Sequence, residues 1–200
     1  MSRQWRSRTE AAGSRVIRRL AAIPPIAGLA ACLWLGCAED NINRQAWTER
    51  GRAALEPFKE ELRTALIEGL EAGPEEAIDV CRVLAPEIAG EASSKNVKVG
   101  RTSHRLRNPE NAPKPWMEPL LESYSKTPDK SEPEVVRLEG GGIGYVEPIY
   151  VKPMCLACHG KTISSDVASR LDEHYPTDRA RDFEEGDFRG LFWVEFADTE

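Results

Sequence analysis

Beyond its first 37 residues the sequence lacks any excess of positive charge. Residues 1–37 contain six arginines and one glutamate and so carry a charge of +5, whereas the whole chain has a net charge of −6, which leaves −11 for the remainder. A body this acidic is unsuited to binding nucleic acid or an anionic membrane surface, because both repel negative charge. We therefore expect neither as a partner, whereas a basic electron-transfer protein is compatible with this charge.

The N-terminal apolar run, from Leu20 to Gly36, lacks the length of a typical membrane-spanning helix and is interrupted by two consecutive prolines. Three arginines precede it closely, as the basic start of a secretory signal precedes its apolar segment. We therefore interpret residues 1–37 as a leader and residues 38–45 as a polar tether. The body, residues 46–200, is expected to be exported to the periplasm or another extracytoplasmic compartment.

Two cysteines near the end of this run are candidates for lipid attachment. Cys32 ends the stretch LAAC, which resembles a bacterial lipoprotein cleavage box closely. Cys37 ends LGC, a poorer match because Trp34 occupies the usual leucine position, yet the polar residues AEDN follow it as they should follow a mature start. Both alternatives stay open, as does an uncleaved N-terminal anchor. In each case the body is exported, and a lipid anchor is its expected contact with a membrane.

Helical periodicity predicts a helix from Trp47 to Leu70 and a second from Pro74 to about Ala92, kinked at Pro86. The inward face of the second helix is expected to comprise Ala77, Cys81, Leu84, Ala85, Ile88 and Ala92. The further predicted elements are a strand at 97–99, a helix at 116–124, a hairpin of strands 135–138 and 145–151, a helix at 164–174 and a last strand at 191–196. This order predicts an α+β fold with a small antiparallel sheet.

The stretch MCLACHG, residues 154–160, contains the pattern C-x-x-C-H as Cys155, Cys158 and His159. Two thiols three positions apart on a turn can bond the two vinyl groups of one porphyrin, and the imidazole that follows can reach the iron. Because the chain has only five cysteines and three histidines, an accidental match is improbable. The motif therefore predicts one covalently attached haem c, with His159 as the proximal iron ligand.

Two other chemistries use the same spacing of thiols. A redox dithiol would start a helix in a thioredoxin-like βαβ unit, and the predicted elements contain no such unit. A structural zinc ion would need a fourth ligand, which His104, His174 or Cys81 could supply, although none of them stands at a recognisable spacing from the motif.

The sixth position of a haem iron could be taken by Cys81, His104, His174, Met117 or Met154. Met154 adjoins the proximal turn and cannot easily reach across the ring. His104 and His174 stand in polar sequence and fit surface positions, and Met117 fits the core. Cys81 has no evident disulfide partner, which is unusual in an exported protein. From the residues alone, Cys81 is either an iron ligand or a buried core cysteine.

Four stretches resemble a bacterial and cyanobacterial family of haem c domains, long catalogued only as a domain of unknown function and also found as a sensor domain. They are AIDVCRVLAP (77–86), VGRTSHRLRNPENAPKPW (99–116), PMCLACHG (153–160) and YPTDRARDFEEGDFRG (175–190). The resemblance implies a PAS-like fold, in which N-terminal helices flank a small antiparallel sheet. It also implies a single haem c with His159 as proximal and Cys81 as distal ligand. Arg101 and Arg107 lie in the second stretch and could pair with the haem propionates.

These observations predict a non-enzymatic haem c protein that acts as a redox- or gas-responsive sensor-type binding module, with a diatomic gas as a ligand. The alternative is a low-potential electron-transfer cytochrome with a redox partner protein, since a thiolate ligand stabilises ferric iron. An enzyme would need an open iron site with an acid–base pair, and the sequence offers no strong pair. No length remains after residue 196 for an output domain, so we expect a stand-alone module.

Overall fold

The computed structural model describes residues 42–127 and 129–198. The predicted leader, 1–37, and both lipidation candidates, Cys32 and Cys37, lie outside these residues and stay predictions. Among the helices that the structure describes, none is long and apolar enough to cross a membrane.

The first helix, α1 (Arg44–Ala72), begins within the stretch 38–45 that was predicted as a tether. Asn43 caps it, because its side-chain oxygen accepts a hydrogen bond from the backbone N–H of Ala46 at 3.1 Å. Its buried side chains Leu55, Phe58 and Leu62 follow the predicted helical period. The predicted helix is therefore confirmed, with about one extra turn at its N-terminus.

The second helical segment consists of α2 (Pro74–Asp79), a π-helical turn (Val80–Leu84) and α3 (Ala85–Glu91). In the π turn, the N–H of Ala85 donates to the carbonyl of Val80, five residues back. Pro86 has no N–H and cannot make the next α-helical bond, so the predicted irregularity at this proline is present as a widened turn.

The π turn corrects one prediction about the inward face of this segment. Ala77, Ala85 and Ile88 are buried as expected, but Leu84 is 41% exposed rather than inward. An extra residue in the turn rotates the following side chains away from the direction that an uninterrupted 3.6-residue period gives them. Cys81 lies in this turn and is half-buried.

The sheet has four strands: β1 (Val97–Thr102), β2 (Glu134–Arg137), β3 (Ile143–Tyr150) and β4 (Phe188–Phe196). Their order is β1-β4-β3-β2, and every neighbouring pair is antiparallel. The predicted hairpin of β2 and β3 is confirmed. Strand β4 starts three residues earlier than predicted and lies between β1 and β3.

Helices cover both faces of this sheet. On one face, Leu55 and Phe58 of α1 and Ile88 of α3 pack with Tyr145 of β3 and Val194 of β4. On the other face, α4 (Glu118–Lys126) contributes three buried side chains; they pack with Val146 and Leu191. The predicted α+β fold, PAS-like with a small antiparallel sheet flanked by helices, is confirmed.

Helix α1 crosses the sheet at Gly51, and this close approach gives a testable prediction. A Cβ added there would lie 2.2 Å from Cγ of the fully buried Tyr145. Gly51→Ala should therefore destabilise the protein by about 2 kcal/mol through overpacking, despite the higher helix propensity of alanine. Urea unfolding measures the change.

Gly90, in α3, supplies the matched control, since a Cβ there meets nothing within 4 Å. Gly90→Ala should leave stability unchanged or raise it by up to about 1 kcal/mol, because only helix propensity changes. Equal losses from both substitutions would contradict the packing that we describe between α1 and Tyr145.

Candidate functional site

The C-x-x-C-H motif occupies one short helical turn between β3 and the helix α6 (Ser165–His174). A 3₁₀ turn, Pro153–Cys155, leads into α5 (Leu156–His159). Cys155 and Cys158 are both free thiols and both half-buried. The two thiols therefore lie on one local element, with His159 at its end.

A bridge to a distant loop holds this turn in place. The N–H of Phe183 donates to the carbonyl of His159 at 3.0 Å, and the N–H of Asp182 donates to the carbonyl of Gly160 at 3.2 Å. Cys155 also packs against a small buried cluster that includes Phe183. Contacts with residues more than 20 positions away thus fix the end of the motif.

The ring of His159 has one fixed orientation. Its Nδ1 lies 2.6 Å from the carbonyl oxygen of Ala180, which can only accept, so Nδ1 carries the proton. Nε2 of the neutral ring is then left with its lone pair. Burial, followed by the positive charges of Arg107 and Arg189, holds the pKa of His159 well below its ordinary value. The imidazole is therefore neutral and oriented, as a metal-ligating histidine must be.

Arg107 is buried behind the motif and joins two segments of chain. Its Nη2 donates to the carbonyl of Cys158 at 2.6 Å and to that of Ala180 at 3.2 Å, and its Nε donates to the carboxylate of Asp178 at 3.2 Å. Its charge is thus already neutralised by a protein carboxylate. As a propionate partner, Arg107 is consequently a weaker candidate than the sequence indicated.

Asp178 is the acidic centre of this arrangement. Its side chain accepts hydrogen bonds from the N–H of Ala180 at 2.8 Å and from Arg181 at 2.9 Å, besides that from Arg107. Burial alone would raise the pKa of the carboxyl group, but these donors and charges outweigh it and lower the pKa. Asp178 therefore stays ionised and holds both arginines.

The structure brings Cys81 towards the motif, although 74 positions separate it from Cys155 in the sequence. Cys158 packs against a buried cluster that contains Ile78, three residues before Cys81, together with Leu171 and Tyr175. Burial raises the pKa of the Cys158 thiol, Arg107 lowers it, and the charges of Cys81 and Cys155 raise it further. The three thiols therefore lie within electrostatic reach of one another.

The structure places the other ligand candidates in three different surroundings. His104 is exposed and stacks on Phe188, with ring centroids 5.6 Å apart. Nε2 of His174 is 3.9 Å from a carboxylate oxygen of Asp79 and has no hydrogen-bond partner among the described residues. Met117 is 1% exposed and belongs to the core.

Three large apolar side chains are exposed around the thiols. Val83 and Leu84, in the π turn that carries Cys81, are each 41% exposed, and Met154, directly before Cys155, is 38% exposed. Exposed apolar side chains that border a common site often mark where a ligand binds. Exposed apolar surface is therefore present on the segments that carry Cys81 and Cys155.

Sequence reasoning assigned no role to Arg189, although the stretch 175–190 contains it. The side chain donates from Nη1 to Oγ of Ser103 at 2.6 Å and to the carbonyl of Arg105 at 3.1 Å, and it lies over the ring of Phe183. Burial first, and then Arg101 and Arg107, lower its pKa to about 10. Only the folded structure shows this concentration of arginines, because they come from different segments.

Comparisons with known proteins agree with this architecture. No curated protein sequence matches the chain. The crystal structure of the cyanobacterial haem protein Tll0287 is similar, with a TM-score of 0.54 and 23% sequence identity, and the match covers 72% of this chain and 92% of that one. The model of the Tll0287-like family matches residues 16–197. The chain therefore belongs to the Tll0287-like family.

Proposed function

We propose that this chain binds one haem c through thioether bonds from Cys155 and Cys158, with His159 and Cys81 as the axial ligands. The observation that carries the proposal is the fixed ring of His159. Its Nδ1 is engaged by the carbonyl of Ala180, so Nε2 is available beside two free thiols. A likeness to a protein described as a haem protein supports the haem-binding part of this proposal.

The residues present fit a haem better than an isolated metal ion. Within the described ranges, no group of three or more His, Cys, Asp or Glu side chains is placed to hold an ion. A haem iron needs at most two protein ligands, here one imidazole and one thiol. The exposed Val83, Leu84 and Met154 are close in sequence to those ligands and would supply apolar contacts to a bound haem.

As its role, we propose a redox- or gas-responsive sensor module that is not an enzyme. Bound haem would supply one-electron redox chemistry and a coordination position for a small ligand. Cys81 stands on a π turn, which is a less stable arrangement than a continuous α-helix and is common at functional sites. A soft, protonatable ligand on such a turn is suited to leaving the iron when its oxidation state changes.

We retain electron transfer as the alternative role, because the acidic body would steer a basic partner towards the site. For either role we propose export, with a lipid anchor on Cys37 or Cys32. A sensor and a carrier make different demands on Cys81, since a carrier works best when its ligands stay unchanged.

Haem attachment is tested on the purified protein made in a host that matures haem c. We expect a mass increase of one haem, and haem staining should survive denaturing electrophoresis because thioether bonds are covalent. Changing both Cys155 and Cys158 to serine should abolish the staining. Cys81→Ser is the matched control, since it removes a thiol from the same site and should leave attachment intact. An unstained wild-type protein would refute the proposed function.

Carbon monoxide distinguishes the two roles. If Cys81 leaves the iron on reduction, the reduced protein should bind carbon monoxide, and its Soret band should shift. If Cys81 remains bound, the spectrum of the reduced protein should not respond to the gas. The second result would remove the gas-sensing role and favour electron transfer.

A further inference from the structure

Three arginines near the site form no ion pair with any residue that the structure describes: Arg101, Arg105 and Arg189. Arg105 instead donates to the backbone carbonyls of Arg179 and Arg181. Asp178, the carboxylate whose charge acts on Arg189, is bound by Arg107 at 3.2 Å and by Arg181 at 2.9 Å. It acts on Arg189 only at longer range. The cluster therefore contains more positive charge than the protein neutralises.

Arg189 shows this imbalance most clearly. Its side chain is half-buried, and its guanidinium donates to two neutral oxygens, Oγ of Ser103 and the carbonyl of Arg105. Burying a cation without an anion is costly, and hydrogen bonds to neutral acceptors offset only part of the cost. The pKa of about 10 reflects this cost. An anionic group bound nearby would remove it.

Arg101 connects the surroundings of the two axial ligands. Its positive charge lowers the pKa of Tyr175, which burial and the charge of Cys81 raise. The same arginine also lowers the pKa of Arg189, whose charge in turn acts on His159. Arg101 therefore acts on both Tyr175 and Arg189, and its half-buried side chain has no hydrogen bond or ion pair among the described residues.

We propose that Arg101 and Arg189 form the site that receives the propionate carboxylates of the haem, and that Arg107 does not take part. The inference rests on the proposed function. Guanidinium groups pair with carboxylates through two parallel hydrogen bonds, which suits two anions on one edge of a porphyrin. Arg107 is excluded because Asp178 already neutralises its charge, and because Asp178 and two backbone carbonyls engage its Nε and Nη2.

Resonance Raman spectroscopy of the haem-loaded protein tests the assignment, because the propionate bending band responds directly to hydrogen bonding. Arg101→Gln and Arg189→Gln should each shift this band. Each should also lower the reduction potential, since a nearby positive charge favours the reduced state. Arg63→Gln, which removes an exposed charge on α1, should change neither quantity.

A lysine variant separates the effect of charge from that of hydrogen bonding. Arg189→Lys keeps the charge and should restore most of the potential, but it should not restore the band, because an ammonium group cannot make the same two bonds. Arg107→Gln should lower stability and leave the band in place. A shift of the band in Arg107→Gln but in neither of the other glutamine variants would overturn the assignment.

The outcome for Arg101→Gln decides the matter if Arg189→Gln does not fold. Arg101 is half-buried and makes no hydrogen bond within the described residues, so its replacement should be tolerated. An unchanged band in a folded Arg101→Gln protein would overturn the inference while leaving the proposed function intact. Absence of haem from the wild-type protein would instead refute the proposed function itself.

Discussion

Cys81→Ala should convert the ferric haem from a low-spin to a high-spin spectrum, or to the spectrum of a replacement nitrogen ligand. A thiolate and an imidazole together produce a strong ligand field, and alanine removes one of the two donors. His159 keeps its bond to Ala180 and stays in place. Visible absorption and electron paramagnetic resonance spectra of the two ferric proteins measure the change.

Val83→Ala is the control for this substitution. Val83 lies in the same π turn but is 41% exposed, and its side chain has no donor atom. Val83→Ala should therefore leave the spin state of the ferric haem unaltered. If Cys81→Ala gives the wild-type spectrum, Cys81 is a half-buried structural cysteine and the distal ligand lies elsewhere. The covalent attachment that we propose for Cys155 and Cys158 should survive in both variants.

Asp178→Asn should destabilise the protein by about 3 kcal/mol at neutral pH, because it leaves the buried cation Arg107 without its carboxylate. Asparagine keeps the size of the side chain and an acceptor for the N–H of Ala180. The loss of stability therefore measures the effect of removing the charge, and not of changing the shape of the side chain. Urea unfolding of both proteins at pH 7 gives the difference.

This difference should depend on pH. The pKa of Asp178 is lowered in the folded protein, so its carboxylate stabilises the fold above the pKa of the unfolded chain, about 3.9. The contribution is lost as the pH falls through the folded-state pKa. Wild type and Asp178→Asn should accordingly converge in stability at acidic pH. A constant difference would indicate that the hydrogen bonds, and not the charge, stabilise the site.

Asp172→Asn provides the matched control. Asp172 also pairs with Arg181, at 2.5 Å, but its side chain is 69% exposed. Solvent screens such a pair, so its loss should cost less than about 0.5 kcal/mol. Equal losses at positions 172 and 178 would contradict the importance that we give to burial.

Local patterns predicted most elements of the fold. The helical period of Leu55, Phe58 and Leu62 located α1, and the glycine-rich turn between two β-branched runs located the hairpin. The C-x-x-C-H motif is local too, so its three residues were identified without any knowledge of the fold. In each case the signal lies within about 20 consecutive residues.

The remaining features depend on contacts that no short pattern encodes. Pro86 predicts an irregularity but not its form, a π turn at Val80–Leu84, so a uniform period placed Leu84 on the wrong side. The pairing of Arg107 with Asp178 joins residues 71 positions apart. The burial of Arg189 appears only when β4 lies beside the loop that carries Ser103. Such features need the fold before they can be identified.

Strand β4 is the last strand in the sequence, yet it lies between β1 and β3 in the sheet. Its pairing with β1 joins Val97 to Phe196, almost 100 positions apart, and loops of this length close slowly. Cys155 and Cys158 need no such closure to be neighbours. During synthesis the thiol pair is thus complete before the sheet is. We expect haem attachment to precede folding. Cys81 should then approach the motif only as the chain folds.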